Sequence, residues 1–341
     1  MRRFEWTTAR SIADIAGATT AADIMAARPA QDGPARAVVK AGGIDLLDLM
    51  KEGLLQPSRL INLRAVPGLD RIAEQDDGTL RLGALATVAQ IAEHPLVLRG
   101  YRALADAARV VASPQIRAVA TLGGNLLQRP RCWYFRSADY HCARKGGAVC
   151  FAFGGDNQYH AVFDHQHCAI VHPSTIATAL VALRARIELL GANGARRELA
   201  LEDFFVLPAK DVHRENDLQP GEVLSAVMLP KLAATARSIH RKQAEKESFD
   251  WPIADVAVAI DRDAAGVCRD VSIVLGAAAP VPHRAKAAEA ALRGKPILEA
   301  TAREAARAAL AGAAPLTKNA YKLPIFEALV RRAILALGTE S

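Results

Sequence analysis

No stretch of about 18 or more uninterrupted apolar residues occurs in the sequence, so no helix long enough to span a membrane is expected. No apolar run follows the opening Met1-Arg2-Arg3-Phe4-Glu5-Trp6, and its two arginines do not read as an export signal. By its own sequence the chain is expected in the cytoplasm; it would reach the periplasm only folded and bound to a signal-bearing partner. Aromatic residues are only 5% of the chain and alanine is abundant, so small and aliphatic side chains are expected to build the core. Blocks of like charge are also missing. The 43 basic and 36 acidic residues, net +7, are scattered and leave no basic stripe for nucleic acid. A mildly basic surface, facing solvent or acidic partner subunits, is the better expectation. The sequence lacks the GxGxxG dinucleotide fingerprint, zinc-knuckle CxxC pairs, and any Ser/His/Asp or paired-carboxylate constellation. No residue is therefore assigned a catalytic role of its own.

What is there suits a folded chain of two or three domains: 341 residues, 51% of them hydrophobic. Helical spacing predicts a helix from Ser11 to Arg28, with a break at Pro29–Pro34. Ala37-Val38-Val39-Lys40 reads as a strand entering Ala41-Gly42-Gly43, with a helix from Leu46 to Lys51. Short strands follow between Leu60 and Leu85, turned at Asp76-Asp77-Gly78. Helices are expected at Thr87–Glu93, Tyr101–Val111 and Ser174–Leu183, and small-residue loops at Ser113–Arg117 and Thr121–Leu126. A hairpin pairs Arg186–Leu190 with Arg196–Ala200, and a strand at Gly221–Leu229 stops at Pro230. Beyond a boundary near 231–236, strands at Val256–Ile260 and Val271–Leu275 lead into an alanine-rich tail. There Phe326, Leu329, Val330, Ala333 and Leu337 mark a packed amphipathic helix.

Four of the five cysteines, Cys132, Cys142, Cys150 and Cys168, fall within 37 residues, separated by nine, seven and seventeen others. The same stretch carries His141, His160, His165, His167 and His172, five of the nine histidines. Two disulfides, unrelated buried thiols and a metal site all fit this pattern. Zinc and a four-iron cluster both accept four thiolates. Cys268, alone before a strand, reads as an isolated side chain.

Lys40-Ala41-Gly42-Gly43-Ile44-Asp45-Leu46 offers backbone N–H groups to a phosphate at a strand–turn–helix junction. A tight turn is the plain alternative. Thr121-Leu122-Gly123-Gly124-Asn125 is a second such element, and two together suit one extended ligand. The pair AGG-x-DLL-x-LMK and AT-x-GGNL, in this order and separation, resembles the FAD-binding subunit or domain of the xanthine dehydrogenase family. The resemblance extends from Phe4-Glu5-Trp6 through Leu60-Ile61-Asn62-Leu63, Leu80-Arg81-Leu82-Gly83-Ala84 and Gly221-Glu222-Val223-Leu224 to Asn319-Ala320-Tyr321-Lys322. The insertion opened by Gln128-Arg129-Pro130-Arg131-Cys132-Trp133-Tyr134-Phe135-Arg136 is similar to that of bacterial periplasmic-type aldehyde oxidoreductases, whose FAD subunit holds a [4Fe-4S] cluster.

That resemblance implies an α+β fold. A two-lobed PCMH-type FAD-binding domain would span 1–230, with lobes at about 1–58 and 59–230 and the cysteine insertion at about 128–171. A smaller α+β domain like that of CO dehydrogenase flavoproteins, an antiparallel sheet with helices, would span 231–341. It implies that Val39, Lys40, Ala41, Gly42, Gly43, Ile44, Asp45, Leu46 and Leu47 wrap the FAD pyrophosphate, with the amides of Gly42, Gly43 and Ile44 as donors. Thr121, Gly124 and Asn125 would lie near the flavin and its ribityl chain. Lys242 matches a lysine near the flavin, with a surface cation as the alternative, and Leu224 touches the isoalloxazine ring or simply packs in the core. Two departures stand out: Ile44 replaces the usual Thr or Ser, and Thr175, also placed at the cofactor, stands where Asp is common. Cys132, Cys142, Cys150 and Cys168 would ligate the [4Fe-4S] cluster. The implied task is electron transfer, from a molybdenum-cofactor large subunit and a [2Fe-2S] small subunit through FAD to an external acceptor. A self-contained flavin oxidase or reductase of this fold and a zinc-stabilised binding module are the rival readings.

Overall fold

In the computed structural model, which describes residues 1–26, 36–247 and 249–339, the Ala37-Val38-Val39-Lys40 run forms a strand whose first two residues are buried. This strand, β3 (Ala37–Lys40), lies in a parallel sheet with β1 (Glu5–Thr8), β2 (Ala18–Thr19) and β4 (Arg59–Asn62), in the order β1-β4-β3-β2. Successive side chains of a strand point to opposite faces. Ala37 and Ile61 accordingly join Ile15, Leu63 and Val223 in one core, while Val38 and Leu60 join Leu49, Met50, Leu55 and Phe135 in another. Coverage on both faces is what a parallel sheet requires. All its strands end at one edge, where ligands of open α/β sheets collect.

The helix expected from Ser11 is split. A 3-10 turn at Ile12–Ile15, strand β2 and a helix at Ala21–Ala26 take its place. Gly17, at φ +78, turns the chain before β2, a conformation glycine adopts freely. The break expected at Pro29–Pro34 lies outside the described residues.

A second, antiparallel sheet contains β5 (Ile72–Glu74), β6 (Leu80–Gly83), β9 (Glu222–Leu229), β7 (Arg186–Gly191) and β8 (Arg196–Ala200), in that spatial order. Asp77 accepts from the Thr79 amide at the β5–β6 turn, as the Asp-Gly signal indicated. Helices Val88–Glu93, Arg102–Arg109 and Thr175–Ala182 supply the core on this sheet. The small-residue loops expected at Ser113–Arg117 and Thr121–Leu126 are short helical turns, Pro114–Arg117 and Leu122–Leu126. Ser113 and Thr121 cap them by accepting from Ile116 and Gly124 amides, which in the second turn offsets the poor helix propensity of its two glycines.

The third sheet is antiparallel: β10 (Ala236–Ala244), β11 (Pro252–Arg262), β12 (Cys268–Gly276) and β13 (His283–Arg284). Strand β10 has no sequence signal because its inward positions are polar. Ser238 accepts from the Ala103 amide, and His240 pairs with buried Asp255 at 3.1 Å. Helices Lys286–Leu292, Glu299–Ala308 and Lys322–Thr339 cover one face of this sheet, with Phe326 and Val330 fully buried. Ala257 and Val274 face the core of the second sheet instead. Cys268 is buried within the tail's core, far from the other four cysteines in packing. Replacing Phe326 with Ala should lower the unfolding free energy by about 3–5 kcal/mol in urea denaturation. A loss below about 1 kcal/mol would mean that the terminal helix does not brace this sheet.

Candidate functional site

The first glycine loop leaves β3 at the carboxyl edge of the parallel sheet and enters helix Ile44–Lys51. Gly43 sits at its N-cap with φ +89 and offers no side-chain cap, so the first-turn amides stay available to a ligand. Gly42 has a different duty. A Cβ there would lie 2.5 Å from the Val119 carbonyl oxygen, so only glycine lets this loop touch the segment leading into Thr121. The two small-residue elements thus meet across one cleft of about 530 Å³, the size of a cofactor pocket.

Val39, Lys40, Ala41, Gly42, Gly43, Ile44, Asp45 and Leu46 line this cleft, as do Thr121, Gly124, Asn125, Thr175, Leu224 and Lys242. Leu47 is the exception. It packs with the core of Leu49 and Phe135 and is not among the residues that line the cleft. Leu224 serves as both wall and core, at 4% exposure. Lys242 is not a free surface cation: its Nζ donates to the carbonyls of Val110 at 3.1 Å and Asp250 at 2.5 Å, and burial lowers its pKa. Asn125 accepts from the Ser174 hydroxyl at 2.6 Å, which holds the second element against helix Thr175–Ala182. Sequence reasoning did not single out Arg129, Glu215 or Trp251 as part of the wall.

Cys132, Cys142, Cys150 and Cys168 come together around a second, small cavity, with Tyr134, Phe135, Arg144, Phe151, His160 and Ile170. All are free thiols, so the disulfide reading fails. Among the described residues, no three His, Cys, Asp or Glu side chains gather closely enough to hold a single metal ion. Burial pushes the Cys132 thiol up to about 12 and also raises that of Cys142. Cys168 is the opposite: a hydrogen bond from Cys150, reinforced by Arg144 against burial, brings it down to about 5. His160 lies 3.2 Å from the Cys132 sulfur, and burial, with Lys322 nearby, lowers its pKa to about 4.

Ion pairs join the two cavities. Asp45, in the first turn of the glycine-loop helix, accepts from the Arg129 amide at 2.9 Å and from Arg131 and Arg136 at 2.9 and 2.6 Å. Asp48, one turn on, accepts from Arg131 and Arg136 as well. Its carboxylate thus spent, Asp45 contributes to the cleft through its backbone and through the arginines it holds. Glu215 is buried between Arg129, at 3.0 Å, and Arg144, at 2.7 Å. Burial pushes its carboxyl up, but Arg129 and then Arg144 outweigh that and hold it below the ordinary range. Arg144 also donates from Nε to the Cys168 sulfur at 3.4 Å, while its buried Nη2 has no partner among the described residues. A buried guanidinium with a partnerless N–H, in the lining shared by four thiols, suits an anionic group.

The terminal domain grips the same segment. Buried Lys322 donates to the carbonyls of His160 at 3.0 Å and Ala277 at 2.5 Å, and Asn319 donates to those of His160 and Ala161. The Asn319-Ala320-Tyr321-Lys322 motif therefore acts as a latch on the cysteine segment.

Two family models match the chain: the FAD binding domain in molybdopterin dehydrogenase over residues 2–232, and the CO dehydrogenase flavoprotein C-terminal domain over 239–337. The aldehyde oxidoreductase FAD-binding subunit PaoB of Escherichia coli K12 is 37% identical over 286 residues, 83% of this chain and 86% of that one. The carbon monoxide dehydrogenase medium chain of Hydrogenophaga pseudoflava is 27% identical over 300 residues, 87% of each chain. Among solved structures, carbon monoxide dehydrogenase from the same organism superposes with a TM-score of 0.72 at 27% identity, covering 98% of this chain and 97% of that one. Quinoline 2-oxidoreductase from Pseudomonas putida 86 gives 0.72 at 25% identity, covering 99% and 97%.

The Gly42 contact yields a direct test. Gly42→Ala must push the loops apart at a cost of about 1–3 kcal/mol, which weakens flavin retention about tenfold or more. Gly100→Ala, with open space around its Cβ, should leave retention unchanged. Equal flavin content in both variants would show that the loop contact does not shape the cofactor site.

Proposed function

The chain belongs to the FAD-binding medium subunits of the molybdenum hydroxylase family, and from that premise we propose that it is the electron-transfer subunit of an aldehyde-oxidoreductase-like heterotrimer. In this reading residues 1–230 hold FAD and residues 231–341 close over the cysteine segment. The partners are a molybdenum-cofactor large subunit, where substrate is oxidised, and a [2Fe-2S] small subunit; electrons leave to an external acceptor. Cys132, Cys142, Cys150 and Cys168 hold a [4Fe-4S] cluster. FAD, when bound, supplies two-electron and one-electron redox chemistry in the same site, and the cluster supplies a one-electron centre.

One observation carries the flavin assignment: both glycine elements line a single cleft and touch through Gly42. The chain's own work there is binding and orientation. Amides of Gly42, Gly43 and Ile44, at the entry to the uncapped helix, bind diphosphate. Thr121 and Asn125, fixed by their bonds to the Gly124 amide and Ser174, present defined polar edges to the ligand. Lys242, tied to two carbonyls, holds the Asp250–Trp251 segment at the mouth and limits water entry. Leu224 and Ile44 give the apolar surface on which a ring system rests.

The cluster assignment is supported by the four thiols around one cavity and by the partnerless Arg144 N–H beside them. PaoB, a 37% identical relative, is an aldehyde oxidoreductase FAD-binding subunit, which favours an aldehyde-oxidising complex. Anaerobic purification with the neighbouring subunits, followed by iron, sulfide, molybdenum and flavin analysis, tests the assignment. Cys142→Ser and Cys150→Ser should each lower iron and sulfide, with flavin retained. Iron unchanged in both variants would remove the cluster and leave the flavin assignment standing.

A further inference from the structure

Arg144 is buried to 1% exposure, yet it lies in a segment with no long apolar run to bury it. Bringing a guanidinium out of water is costly unless its charge and its N–H groups are matched. Glu215 matches part of it and is shared with Arg129, which is equally sequestered. Two buried cations thus share one carboxylate, and the second positive charge faces the Cys168 sulfur. That charge belongs to Arg144, because every guanidinium nitrogen of Arg129 has an acceptor: the two Glu215 oxygens, the His213 carbonyl or the Met25 sulfur. Arg144 donates one bond to Glu215 and one to the Cys168 sulfur, and its Nη2 faces no acceptor among the described residues. Lys145, the next residue, adds a further cation, held on the Tyr134 and Ser137 carbonyls.

We propose that Arg144 is the positioning residue of the cysteine site: it donates N–H···S bonds to Cys168 and to the sulfur-rich anion bound there, and so sets that centre's reduction potential. This rests on the cluster assignment above. The Glu215–Arg129 pair fixes the guanidinium, and the Arg129 amide in turn is fixed by Asp45 in the glycine-loop helix. Adding one electron to the centre adds one negative charge beside Arg144; no bond forms or breaks, and the guanidinium keeps its protons. Hydrogen bonds to cluster sulfurs and nearby positive charge favour the reduced state, so this donor raises the potential. A lysine keeps the charge but not the planar fork that bonds carboxylate and sulfur together. Because Glu215 and Arg129 also line the flavin cleft, the same triad makes the shape of one site depend on the other.

The test is an EPR-monitored redox titration of the complete complex, with a low-potential chemical reductant as electron donor. Arg144→Lys and Glu215→Gln are compared with wild type, and the flavin couple serves as the internal reference. Arg144→Lys should shift the [4Fe-4S] signal to a more negative potential, with the partner [2Fe-2S] signals unmoved, whereas Glu215→Gln, which removes a buried negative charge, should shift it to a more positive one. Selective loss of iron and sulfide from this site, with flavin and the other clusters retained, would also support a positioning role. An Arg144→Lys complex with wild-type iron content and an unshifted potential would overturn the proposal. Equal iron and sulfide in wild type and Cys150→Ser would instead remove the cluster assignment itself, a separate failure.

Discussion

Asp45 carries more of this molecule than its place beside the glycine loop suggests. One carboxylate, in the first turn of the helix behind the glycine loop, accepts from the Arg129 amide and from the Arg131 and Arg136 guanidiniums. Its side chain is only 14% exposed, so these pairs are screened less than surface salt bridges and break at greater cost. Asp45 thereby fixes both the entry to the cysteine segment and the angle at which the glycine helix presents its amides. Glu215 continues the chain of charges from Arg129 to Arg144 and so to Cys168.

The consequence is a shared scaffold. The cleft and the cysteine cavity are separate spaces with separate linings, but Arg129, Glu215 and Asp45 belong to the wall of the first and hold the frame of the second. The terminal domain adds a third support through Lys322 and Asn319, which grip the carbonyls of His160 and Ala161 from behind. The chain belongs to the family of FAD-binding medium subunits, and its two glycine loops line the cleft. Here those loops are also braced by the segment that carries the thiols.

Much of this was legible in the residues. Apolar runs and turn residues gave most strands within a few positions, and the paired glycine elements pointed to one ligand. The failures have physical causes. Strand β10 was invisible because Ser238 and His240 fill its inward face, with their polarity satisfied by Ala103 and Asp255. The helix drawn from Ser11 ignored how cheaply Gly17 reverses the chain. Leu47 was placed with the cleft by the resemblance of the whole 39–47 run, whereas it packs with the core of Leu49 and Phe135. Arg144 and Glu215 gave no local signal, since they lie 71 residues apart in sequence and gain meaning only as a buried pair.

The cysteine spacing announced a site without naming its occupant. The four thiols share one small cavity with the partnerless Arg144 side chain, and the proposed cluster rests on that placement. Crystals of the anaerobically prepared complex, measured with anomalous scattering at the iron and zinc edges, test this most directly. The account predicts iron density enclosed by Cys132, Cys142, Cys150 and Cys168, with FAD lying across the two glycine loops. Zinc density there, or no metal density beside ordered thiols, would contradict it.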